Sequence, residues 1–144
     1  MKSTIDDLKK IHYLKLEKDD DILGSIVDYC KKNQIKSGAI FGIGAVQKAV
    51  LGYFDVETKT YLENNFDFYA EILNCTGNVA INEMTKEHMA HLHMLISDVK
   101  GVTFGGHVLP GTLISVTGEF ILFETNSTLN RNIDDEFKLM LLNI

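Results

Sequence analysis

Apolar residues recur along this chain in two rhythms. Most stretches alternate apolar with polar positions, the period of a strand with one buried face. One stretch repeats every three to four residues, the period of a helix face. Residues 11–17 alternate and predict a first strand after a polar tail at 1–10. Asp19, Asp20 and Asp21 then supply an N-cap and favourable charge for a helix over 22–32, with Ile22, Leu23, Ile26, Val27 and Cys30 as its buried stripe. The spacing of these aspartates is not that of a calcium loop. Residues 39–46 form a short apolar strand ending in glycines, and 48–55 with 60–66 a hairpin around the turn at 56–59. A strand over 71–81, interrupted at Gly77, leads through a polar link to the stretch 91–109. A long strand over 112–125 with a bend at Gly118, a polar connection at 126–135 and a short strand over 137–142 close the chain. Many strands, short turns and one helix predict a compact single α+β domain over 11–144, with a largely antiparallel sheet and one main helix packed on it. One helix covers only part of such a sheet, which implies an oligomer.

Residues 91–109 read as a hairpin with chemistry on it. His91 and His93 are two apart and project from one face of their strand. With Val99-Lys100-Gly101 as a three-residue loop and Gly101 left-handed, Asp98 faces Val102 and His93 faces His107, their Cβ atoms about 5 Å apart. A one-residue slip would turn His107 to the other face. Gly105-Gly106 is a candidate bulge that could cause one. Three converging imidazoles are a ligand set for zinc or another divalent transition metal, with a fourth position open to water, a carboxylate or a small molecule, Asp98 being too close to the turn to fill it. His88 falls on the other face of the strand, and His12 reads as an exposed strand residue rather than a ligand.

Composition narrows the rest. The chain has 144 residues, a net charge of −6 and 14 basic side chains, of which only Arg131 is an arginine. That balance repels nucleic acid and removes the side chain best suited to reading guanine. Cys30 and Cys75 give no disulfide framework and suit burial as small hydrophobes. No apolar run is long enough to span a membrane and the first residues carry acids, so a cytoplasmic location is expected. Gly42-Ile43-Gly44 lacks the third glycine and the following helix of a dinucleotide loop; a bulge or close packing explains it better.

Several motifs occur in a telling order: Gly42-Ile43-Gly44-Ala45, Leu51-Gly52-Tyr53-Phe54-Asp55, Glu71-Ile72-Leu73, Thr76-Gly77-Asn78, His91-Leu92-His93, Gly105-Gly106-His107 and Leu129-x-Arg131. Together they resemble the PPC ("plants and prokaryotes conserved") domain over nearly the whole chain. The resemblance implies an α+β domain assembling as a homotrimer, with His91, His93 and His107 as its zinc site. It also implies the label of a predicted DNA-binding protein, because plant members place the domain behind AT-hook segments and use it to associate with itself and with partner proteins. These 144 residues contain no Arg-Gly-Arg-Pro hook, and Phe68-Tyr69-Ala70-Glu71-Ile72-Leu73 matches a plant segment without its arginine. The expected function is a homotrimeric metal-binding module rather than an enzyme, with DNA as a partner by family label only. The alternative is a metal-dependent hydrolase or lyase, for which Glu71 is the candidate general base. Expected partners are further copies of the chain, other proteins, or a small molecule at the metal, and no membrane.

Overall fold

The helix forms where period and caps agree. In the computed structural model, which describes all 144 residues, it spans Ile22–Asn33 (α1). The Asp21 side chain accepts a hydrogen bond from the Gly24 amide at 2.7 Å, and Gln34, left-handed at φ 56°, closes the last turn. Ile22, Ile26 and Cys30 are fully buried, with Leu23 and Val27 half-buried beside them.

Nine strands make up the rest: β1 (Leu8–Glu17), β2 (Gly38–Asp55), β3 (Thr60–Phe66), β4 (Ala70–Asn82), β5 (His88–Ser97), β6 (Thr103–Val108), β7 (Leu113–Thr125), β8 (Asn130–Ile133) and β9 (Met140–Asn143). They join in one sheet in the order β1-β7-β2-β6-β5-β4-β8-β9, with β3 on β2. A further pairing of β2 with β4 closes a ring of β2, β6, β5 and β4. All pairings are antiparallel except that of β4 with β8. α1 and the inward residues of the sheet, among them Leu92, Met94, Ile96, Val108, Phe120 and Leu122, share one core. No helix is long and apolar enough to cross a membrane.

Four sequence expectations are corrected. The tail is shorter than ten residues, because Leu8 already pairs with Thr125. The two strands expected at 39–46 and 48–55 are a single strand of 18 residues. Its first half lies between β4 and β7 and its second between β3 and β6, and register shifts around Gly44 and Val46 let it change neighbours. Gly77 does not interrupt β4: it pairs with Ile40 on one side and Leu92 on the other. The polar connection at 126–135 contains β8, and β9 begins only at Met140, after a turn in which Lys138 is left-handed at φ 59°.

The outer face of the β1–β7–β2 segment is uncovered and apolar. Tyr13 pairs with Ile121, which pairs with Phe41, and Ile43 and Ile11 flank them on the same face. Tyr13 is 79% exposed and Ile43 58%.

Gly77 is required by close approach: a Cβ there would lie 1.8 Å from the carbonyl oxygen of His91. Gly77→Ala is therefore expected to lower stability by about 3 kcal/mol, measured as a shift in the urea midpoint.

Candidate metal centre

The turn between β5 and β6 sets everything that follows. The Asp98 carboxylate accepts from the amides of Lys100 (2.8 Å) and Val102 (2.9 Å), and Gly101 sits at φ 80°. The register runs without a break from Ser97 opposite Thr103 to His93 opposite His107, so Gly105-Gly106 forms no bulge here. Because successive side chains alternate, Leu92, Met94, Ile96 and Val108 enter the core while His91, His93 and His107 share the other face. Their ring centroids lie 4.8 Å (91–107), 5.1 Å (91–93) and 5.5 Å (93–107) apart. One ligand nitrogen from each ring lies within 4.8 Å of the others.

Burial pulls the His91 and His107 pKa values down to about 4. The positive charge of Arg131 adds to this at His91, and neighbouring His93 adds to it at His107. Both rings are therefore neutral at pH 7 and offer lone pairs, the form a metal takes. The contacts fix a proton pattern. Arg131 is a donor only, so at 3.3 Å from Nδ1 of His91 it requires that nitrogen to be bare. The His91 proton is then on Nε2, which faces Nε2 of His93 at 3.2 Å. Nδ1 of His107 is buried with no partner at all, and its ring packs on Tyr61 with centroids 5.1 Å apart. Two facing ring nitrogens and an orphaned third are what a cation bound among them would satisfy, so the donor set fits a metal.

Arg131 is held in turn by Asn78 Oδ1 (2.6 Å) and the Met140 carbonyl (2.9 Å). The cluster contains no carboxylate, and Arg131 takes part in none of the ion pairs.

The family model described as the Plants and Prokaryotes Conserved (PCC) domain matches residues 4–126. The chain belongs to this family. Solved structures of similar proteins agree. A metal-containing protein from Archaeoglobus fulgidus is 28% identical, with each chain fully covered and a TM-score of 0.89. The PPC protein of Pyrococcus horikoshii is 26% identical, with 100% of this chain and 98% of that one covered and a TM-score of 0.90. A candidate DNA-binding protein from Bacteroides thetaiotaomicron is 26% identical, covering 97% and 98%, with a TM-score of 0.86. Among curated proteins, the bifunctional protein GlmU of Synechococcus sp. is 26% identical over 117 residues, 81% of this chain; the chain spans 17% of that protein's length.

The remaining candidates of this PCC domain lie elsewhere. His88 faces the helix side, beside Val27, Asp28 and Lys31. His12 is not an exposed strand residue: its side chain is 13% exposed and held by Tyr29 and Glu124, each at 3.1 Å, because β7 brings Glu124 across from β1. Glu71 stands opposite Ser97, five positions along β4 from Thr76, the residue opposite His93, and lines a different depression with Tyr69 and Asp98. The structure does not bring it to the histidines. Cys30 and Cys75 are buried, which pushes both thiols up to about 12. The sequence reading missed Arg131, Asn78 and Tyr61 as site residues. The sequence does carry signals for two of them: Arg131 is the sole arginine and closes the Leu129-x-Arg131 motif, and Asn78 ends Thr76-Gly77-Asn78.

Both depressed histidines bind protons less readily in the folded chain than in the unfolded one, whose imidazole value is 6.5. The unfolded state thus gains protons first as pH falls. Stability of the metal-free protein is expected to drop as pH falls from 6.5 toward about 4, and this contribution is gone below that. Urea midpoints across that interval check it, and His91→Gln should flatten the slope.

Proposed function

We propose that His91, His93 and His107 together bind one divalent transition metal ion, zinc foremost, and that the chain acts as a homotrimeric, self-associating metal-binding module. The observation that carries this is the meeting of three ligand nitrogens within 4.8 Å. Neutral imidazoles suit zinc, and by softness cobalt, nickel, copper and iron. The metal-containing relative from Archaeoglobus fulgidus supports the reading. Self-association is supported by the uncovered apolar face of β1, β7 and β2, where Ile11, Tyr13, Phe41 and Ile43 are exposed side by side.

A second reading is favoured by the cavity that adjoins His91 and His107. Three protein ligands leave a coordination position, and a metal so held acts as a Lewis acid on a water or carbonyl oxygen, as in hydrolases and lyases. In that reading Arg131 and Tyr61 orient a small molecule next to the histidines. Direct DNA contact has the label of the Bacteroides relative behind it and the charge of this chain, −6, against it.

Elemental analysis of purified protein is expected to find one transition metal per chain. His91→Ala, His93→Ala and His107→Ala should each weaken it more than ~100-fold, while His12→Ala and His88→Ala retain it. Protein with no metal, or equal loss in all five variants, would remove the reading. By light scattering the protein should have three times its 16.2 kDa chain mass, and Tyr13→Asp combined with Ile43→Asp should reduce it to a monomer.

A further inference from the structure

We infer that the cavity beside the histidines is a subsite for a small organic carboxylate, received by Arg131. The reasoning begins with an uncompensated charge. Arg131 is only 4% exposed, yet no carboxylate lies within ion-pair distance. Buried charges in folded chains are ordinarily paired, and a lone one is a substantial penalty unless something supplies the counter-charge. Arg131 has five N–H groups. Asn78, the Met140 carbonyl and His91 take three, and Nε is buried with no partner.

The second observation is the space. A cavity of about 200 Å³ has Arg131, His91 and His107 at its polar corner and apolar walls that include Met89, Leu139 and Leu141. That volume is below the range for drug-sized ligands and suits a short acid with an aliphatic tail. Apolar walls favour an organic acid over inorganic phosphate, which would leave them dry and unfilled.

Metal chemistry sharpens the need. The inference rests on the metal reading for this step alone. Were Nε2 of His91 to hold the metal, the ring proton would have to sit on Nδ1, where it would face the Arg131 donor. Two donors would then face each other without an acceptor, beside a dipositive ion. A carboxylate oxygen in the adjoining cavity answers both donors and balances the charge.

Because Arg131 is the only arginine, the protein has a single arginine Nε–H cross-peak in a proton–nitrogen correlation spectrum. Isobutyrate titrated into metal-free and zinc-loaded protein should move that peak saturably, at least ten-fold more tightly with zinc. Its neutral isostere isobutyramide should leave the peak in place. A peak that isobutyrate does not move in either form, or that isobutyramide moves equally, overturns the inference. If zinc binds and the peak stays, the subsite falls and the metal site stands. If no zinc binds and isobutyrate still moves the peak, the metal site falls and the subsite stands.

Discussion

Strand register is the constraint on which this molecule's chemistry depends. The three imidazoles meet only because His93 pairs with His107, and a slip of one residue would point His107 into the core. What holds the register is the opposite face of the same hairpin. Leu92, Met94, Ile96 and Val108 are fully buried, and each such side chain is worth about 1.5–3 kcal/mol of burial that a slip would forfeit. The turn adds directional control through the Asp98 carboxylate and the left-handed Gly101. Gly77 lets β4 approach under the His91 carbonyl. The core thus specifies the site without any of its atoms taking part in it.

Charge gives the site its character. Metal-binding histidines usually lean on a carboxylate or carbonyl that accepts the second ring proton. Here the neighbour of His91 is a guanidinium, the opposite partner. It adds to the burial that keeps the ring neutral, which favours ligation, and repels a cation, which opposes it. Burial and Arg131 act in the same direction on the proton affinity of His91, so that ring excludes protons twice over. A net positive pocket with an apolar wall is a poor place for a bare cation and a good one for a cation together with an organic anion.

Legibility in the sequence followed the range of the interactions. The β5–β6 hairpin and its histidine pair were readable because the register of a tight turn is local arithmetic: an Asp, a Gly and alternating apolar residues settle it within a dozen positions. The helix was readable for the same reason, with cap and stripe inside one stretch. The continuity of β2 was not, since the residues that bridge its halves are chosen by four different partner strands. Nor was β8, whose four residues become a strand only through parallel pairing with Ile81 and Asn82, nearly fifty positions earlier. Arg131 arrives at the histidines by that same long-range pairing, so a local reading could count it but not place it. His12 was misjudged as exposed because Tyr29 and Glu124, which cover it, come from distant elements.

The same arginine bears on the nucleic-acid label carried by relatives. Phosphate-tracking surfaces depend on exposed cations, and base reading depends above all on forked guanidinium contacts. The only guanidinium of this chain is sealed inside the domain and committed to Asn78, Met140 and His91. The lysines that remain on the surface are outnumbered by acids, leaving a net charge of −6. A polyanion thus meets repulsion outside and finds the one group suited to it out of reach. A small acid that fits a cavity of about 200 Å³ meets neither obstacle, so the placement of this residue argues for an anion of molecular rather than polymeric size.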